Sequence, residues 1–173
     1  MTGTGWQKSW VRTVTTLLTA AVMVMIFCFS MENAEQSDQR SGVIAKILIK
    51  IIHPDYEQME PAQQKKVYDD TQLIVRKCAH FSEYTILGFM IRICLESWFG
   101  DKKMRTWILP LTGIAAGILY ACTDEIHQLA IDGRYGTWTD VAVDGSGVVA
   151  GAVLGILLVS MTCRKKENET GET

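Results

Sequence analysis

Ten polar residues in three short stretches carry the chemistry open to this sequence. The first stretch holds Lys77, His80, Glu83 and Tyr84; the second holds Asp124, Glu125 and Gln128, with Arg134 just beyond; the third holds Asp140 and Asp144. A histidine set among carboxylates can move protons, so His80, Glu83, Asp124 and Glu125 are candidates for a general acid–base set. A metal site is a narrower option. His80 and Glu83 stand at i,i+3, as do Asp124 and His127, and carboxylate-plus-histidine pairs on facing helices build metal centres in bundles. Such spacings are common, and His127 falls about 60° off the helical stripe of Asp124. His80, Glu83, Asp124 and His127 are therefore weak metal candidates, and no Ser or Cys sits in a nucleophile motif. Arg76, Lys77 and Arg134 can hold a phosphate or carboxylate, while the acids can take an amine, a cation or a sugar hydroxyl. The plain alternative is structural. His80, Glu83, Asp124 and Arg134 would form a buried ion-pair lock, and Arg76 and Lys77 would only extend toward headgroups.

The elements that must position these residues are apolar. Thr13 to Met31 is 19 residues without a charge, Trp107 to Thr123 is 17, and Gly145 to Cys163 is 19. A helix crosses the hydrocarbon core in about 20 residues, so these read as membrane spans. A fourth run, His80 to Phe99, is marked by Glu83, Arg92 and Glu96; Arg92 and Glu96 lie one turn apart and can pair. The expected fold is all-α, a four-transmembrane-helix bundle with spans at about 12–31, 80–99, 107–130 and 139–163. Residues 1–163 form a single membrane domain, 32–79 an extracytoplasmic helical loop, and 164–173 a disordered cytoplasmic tail. The first run is long for a signal peptide and lacks a small-residue cleavage site, so it is expected to be retained. The five cysteines form no CxxC or zinc-type spacing, and the net charge of −2 gives no case for a nucleic-acid partner.

Lys8 and Arg12 precede the first span, Lys102, Lys103 and Arg105 follow the second, and Arg164, Lys165 and Lys166 follow the fourth. The positive-inside rule puts all three clusters, and both termini, in the cytoplasm. The ten polar residues then all fall at the outer leaflet. In the long outer loop, Val43, Ile44, Ile47, Leu48, Ile51 and Ile52 make an amphipathic stripe suited to the outer interface or to covering the bundle mouth. Pro61 opens a second helical stretch that can run straight into the second span. Gly113 and Gly117 share a stripe with Asp124 and Gln128 on span three, and Gly147, Gly151 and Gly155 share one with Asp140 and Asp144 on span four. Small residues let membrane helices approach, so spans three and four are expected to pack through these glycines. Gly100, in a loop, is expected to be an open position.

Two segments resemble one family. "RKCAHFSEYTILGF" is similar to the K-x-x-H-F-x-E-Y-x-x-L element of the VanZ-like membrane proteins, and "DEIHQLAIDGRYGTWTDVAVDGSGVVAG" to their D-E-x-x-Q…G-R…D-x-x-x-[ND]-x-x-G element. The order is right and the resemblance covers nearly the whole chain. It departs at Asp144, where the family more often has Asn, so this chain carries an additional carboxylate. The resemblance implies a multi-pass protein of the bacterial cell membrane with a role in glycopeptide (teicoplanin) resistance. It carries over Lys77, His80, Glu83, Tyr84, Asp124, Glu125, Gln128, Arg134, Asp140, Asp144 and Gly147 as motif residues, without a reaction. The leading expectation is an outward-facing polar site that binds or modifies a lipid-linked or peptidoglycan-related ligand of the cell envelope. The alternatives are a membrane-embedded hydrolase or transferase using His80, Glu83 and Asp124, and a scaffolding protein whose polar cluster only locks the packing. The partners expected are the lipid bilayer and such a ligand; the residues name no cofactor and no oligomeric state.

Overall fold

The computed structural model describes residues 5–100, 104, 107–131, 133–134 and 136–170, and among them the regular structure is entirely helical. Five long helices follow in order: α1 (Ser9–Ser30), α2 (Ala34–Ile52), α3 (Pro61–Phe99), α4 (Ile108–Gln128) and α5 (Trp138–Thr170). Two of them, Ser9–Ser30 and Trp138–Arg164, are long and apolar enough to cross a membrane. Only 17% and 33% of their most apolar stretches are buried within the protein. A core helix of a soluble protein hides its apolar surface; these two leave most of theirs outward. α4 ends on buried acids and α3 carries charges along its length, which is why neither matches them in hydropathy.

α3 is the spine. Pro61 occupies its first turn, where the missing N–H costs nothing, and the helix then runs unbroken for 39 residues. At 1.5 Å per residue that is about 58 Å, nearly twice a hydrocarbon core. The expected boundary near residue 79 is thus absent, because nothing between Lys77 and His80 breaks a helix. α2 begins earlier than its apolar stripe, at Ala34. Asn33 accepts from the Gln36 backbone N–H at 2.9 Å, and the Gln36 side chain accepts from the Asn33 N–H at 3.2 Å. This reciprocal cap fixes the entry. α2 packs on α3 through Ser41, Gly42, Ala45 and Ile49, while Val43, Ile44, Ile47, Ile51 and Ile52 stay exposed. The stripe faces outward rather than closing the bundle.

The tightest seam joins α3 and α5, and this corrects the expectation that the glycine stripe of span four serves span three. A Cβ on Gly147 would stand 2.5 Å from the Phe81 carbonyl oxygen, and one on Gly151 would collide with the Thr85 carbonyl. From the other side, Gly88 meets the Val148 backbone. The spacing placed these glycines on one stripe but could not say which neighbour they faced. Gly113 likewise turns toward Ile91 and Leu95 of α3, and only Gly117 meets α5, at Val148. Tyr84, Leu87, Ala121, Val148 and Ile26 form the core where α1, α3, α4 and α5 meet.

α5 continues through Thr170, so residues 164–170 are helical where a disordered tail was expected. Arg, Lys and Glu are good helix formers and extend an existing helix readily. Lys102, Lys103 and Arg105, and residues 171–173, lie outside the described residues.

Candidate functional site

Successive turns of α3 bring Lys77, His80 and Tyr84 to the α5 seam. Lys77 Nζ lies 3.2 Å from Asp140 Oδ1. The other Asp140 oxygen accepts from the Thr137 hydroxyl at 2.7 Å, and the Asp140 N–H donates back to that hydroxyl at 3.2 Å. Thr137 therefore caps α5 and fixes Asp140 in its first turn. One turn deeper, His80 Nδ1 stands 3.5 Å from Asp144 Oδ1, and Asp144 is fully buried.

α4 supplies the facing wall. Gln128 Nε2 donates to Asp124 Oδ2 at 3.2 Å, and Glu125 Oε2 accepts from the Thr137 N–H at 3.1 Å. The chain between α4 and α5 turns tightly, with Gly133 at a positive φ of 75°, a conformation glycine adopts without strain. Gly136 lies so close to the Glu125 carbonyl that a Cβ there would be 2.7 Å away. This turn aims Arg134 back toward α1, where Nη2 donates to the Phe29 carbonyl at 3.4 Å. Burial draws Arg134 below the ordinary guanidinium value; Arg76 and Arg40 push the same way, and Asp124 and Glu125 oppose them.

Two adjoining cavities result, where one was expected. The larger, about 190 Å³, is lined by Lys77, His80, Glu125, Gln128, Arg134, Asp140 and Asp144 among others. The smaller, about 70 Å³, is lined by His80, Glu83, Asp124 and Arg134, with Ser30, Glu32, Arg40, Arg76 and apolar groups. Ser37, Arg76, His80 and Arg134 border both. Tyr84 lines neither; it is fully buried behind them, within electrostatic range of Asp124 and Asp144. His127 is not brought in. Its ring stacks on Phe27 with centroids 5.0 Å apart, as its 60° offset from the Asp124 stripe requires. Among the described residues no three His, Cys, Asp or Glu side chains lie together as a metal ligand set.

The site leaves polar atoms unpaired. Among the described residues, buried atoms with no hydrogen-bond partner are Ser30 Oγ, Tyr84 Oη, Asp124 Oδ1, Glu125 Oε1, His127 Nε2 and Asp144 Oδ2 at this end, and Arg92 Nε elsewhere, while His80 Nδ1 and Asp144 Oδ1 have only their long 3.5 Å contact with each other. Native proteins rarely leave buried polar groups unmatched, and an unmatched one costs about 1–3 kcal/mol, more when charged. Groups so arranged need water, a cation or a ligand with donors. Two participants carried weaker signals in the sequence. Arg40 pairs with Glu32 and stacks over the Phe29 ring at 4.5 Å. It lies in the half of α2 ahead of the apolar stripe, and the Asn33–Gln36 cap was the signal that this half is helical. Thr137 precedes Asp140 by three, an N-cap spacing legible in "TWTD".

The model of the VanZ/LLP1 family matches residues 15–159 of the chain. The chain belongs to the VanZ/LLP1 family. No curated protein and no solved structure matches it. The match runs through every wall of both cavities, from α1 to α5. With two helices of spanning length and apolarity, this VanZ/LLP1 chain is a membrane protein.

Proposed function

We propose that this VanZ/LLP1 protein crosses the membrane four times, with both termini cytoplasmic, and holds an outward-facing polar site for a ligand of the cell envelope. The concentration of unpartnered buried polar atoms in two joined cavities at one end of the bundle carries this reading. A lipid-linked or peptidoglycan-related ligand offers hydroxyl, amine and phosphate groups in the plane of the headgroups, matching acceptor-only carboxylates beside arginines. The topology is supported by contacts at the opposite end. Trp6 donates to Thr162, Gln7 to the Gly100 carbonyl and Arg12 to the Ser97 carbonyl. These contacts gather the start of α1, the end of α3 and the last turns of α5 at one face, as alternating crossings require. A cysteine placed at Lys103 is expected to resist impermeant labelling in intact cells; labelling there would reverse the orientation and move the site to the cytoplasm.

The role implied by family resemblance is protection against teicoplanin. Asp124→Asn is nearly isosteric and is expected to abolish protection in a sensitised host while the purified protein melts within a few degrees of wild type. Asp144→Asn restores the commoner family residue and is expected to keep part of the protection. Full protection from Asp124→Asn, or a loss accounted for by unfolding, would replace the binding site with a structural lock.

The His80–Asp144 contact favours one second reading, a hydrolase or transferase. Asp144 would orient the imidazole through Nδ1 and leave Nε2 to exchange a proton with a bound ligand. Conversion of the ligand by the wild type and not by Asp144→Asn, with binding retained, would distinguish this from binding alone.

A further inference from the structure

The smaller cavity gathers guanidinium groups where the larger has Arg76 and Arg134 with Lys77. Three guanidinium groups, Arg40, Arg76 and Arg134, line it from α2, α3 and the turn before α5. Like charges drawn from three separate elements do not converge without a cost. Their acid partners offset only part of it. Arg76 reaches Asp38 only at 3.9 Å, and both side chains are about half exposed, at 47% and 56%, so solvent screens the pair. Arg40 takes up Glu32. A guanidinium has five N–H donors, and the hydrogen bond that Arg134 makes to the Phe29 carbonyl is long at 3.4 Å. The same cavity also presents acids. Asp124, only 4% exposed, has an unpartnered Oδ1, and Glu83 stands beside it. The lining also includes the apolar side chains Ile26 of α1, Ile44 of α2 and Val75 of α3. Ile44 belongs to the exposed apolar stripe of α2.

Guanidinium groups, a buried carboxylate acceptor and aliphatic side chains lining one cleft describe one kind of ligand. We propose that this cleft is a subsite for the phosphate of an amphiphile, held by Arg40, Arg76 and Arg134, with a hydroxyl or amine of the same headgroup reaching Asp124. The proposal rests on the reading of this mouth as a ligand site and adds the chemical class. The volume, about 70 Å³, is small for a whole lipid and sized for part of a headgroup, so the acyl or prenyl chain lies outside, along Ile44 and its stripe. Guanidinium groups suit the task because they bind phosphate oxygens in pairs. The shared border at Arg134 and His80 lets the rest of a larger headgroup extend into the 190 Å³ cavity.

The test uses the purified full chain in an uncharged maltoside detergent, with binding read by titration calorimetry. The probes are short-chain phosphatidylglycerol, diacylglycerol of the same chain length and inorganic phosphate. Phosphatidylglycerol is expected to bind more tightly than either of the others, and more weakly as salt rises. Arg134→Gln is expected to weaken it by about 10- to 100-fold, the range for losing a hydrogen bond to a charged group. Arg134→Lys keeps the charge but loses the fork, so it should recover only part of the affinity. Arg40→Gln serves the same purpose should Arg134→Gln fail to fold, and Lys46→Gln, exposed on α2 and lining neither cavity, should bind as wild type. Equal binding of diacylglycerol and phosphatidylglycerol would end the phosphate assignment. Inorganic phosphate binding as tightly as the lipid would replace the amphiphile with a free anion. Unchanged binding in both arginine variants would end the subsite while leaving the mouth intact as a ligand site, a reading that stands or falls separately with Asp124→Asn.

Discussion

The middle of α3, around His80, and its C-terminal end present the same physical problem and answer it in opposite ways. Near its C-terminus, Arg92 and Glu96 are buried to within 1% of completely, yet Arg92 Nη1 meets Glu96 Oε2 at 3.1 Å. Ser97 Oγ and Thr15 Oγ1 share a 3.0 Å contact, Trp98 donates to Thr16, and Arg12 lies over the Trp98 ring. That end is closed by internal pairing, with Arg92 Nε left without a partner. Near His80 the same helix meets the same neighbours, yet most polar groups have one partner or none and two cavities remain. Burying a charge is costly in either place. The difference separates a polar cluster that holds the bundle together from one left open for something outside the chain.

The largest expected effect breaks the seam that both regions share. Gly151→Leu would drive a side chain into the Thr85 carbonyl and the Phe89 N–H, where backbone leaves no rotamer to escape by. The loss should exceed the ~1–3 kcal/mol of ordinary overpacking. Gly145→Ala is the matched control, since its Cβ would stand an ordinary 3.6 Å from Ile118. Gly100, expected to be an open loop position, cannot serve, because a Cβ there would collide with Glu96. Equal melting of Gly151→Leu and Gly145→Ala would remove the seam as the frame for the comparison.

A smaller effect tests the closed end. Glu96→Ala strands Arg92 in a fully buried position and is expected to cost about 3–5 kcal/mol. The double change Arg92→Met with Glu96→Leu removes both charges and should recover most of that loss, as paired removal often does. A double variant as unstable as the single would mean that this end does more than lock the bundle.

How much of this was legible follows the same division. Helical periodicity and charge-free runs gave the helices, and the positions of His80, Asp124 and Asp144 toward the outer ends of the expected spans placed them at one mouth, because helix geometry converts spacing into direction. Partner choice was not legible. The stripe Gly147, Gly151 and Gly155 fits any close neighbour, and only packing reveals that α3 takes it. Arg40 was missed because a single charge upstream of an apolar stripe looks solvated until α2 folds back along α3. The length of α3 was half visible, in the absence of a breaker between Lys77 and His80.

The smallest expected effect sharpens the comparison most, because it separates a polar residue near the mouth from one inside it. His127 lies on α4 within three residues of Asp124, Glu125 and Gln128, yet its ring stacks on Phe27 and lines neither cavity. Its Nε2 is buried without a partner. His127→Phe keeps an aromatic face against Phe27 and removes an unmatched polar atom, so stability should hold or rise by up to about 1 kcal/mol. Protection against teicoplanin should be unchanged. His80→Phe makes the same chemical change at a residue that borders both cavities and faces Asp144; it should abolish protection. Comparable losses from the two variants, measured by protection and by melting of the purified proteins, would mean that polarity at this end matters without regard to the cavities. A loss confined to His80→Phe would locate the function in the open space that the C-terminal end of α3 lacks.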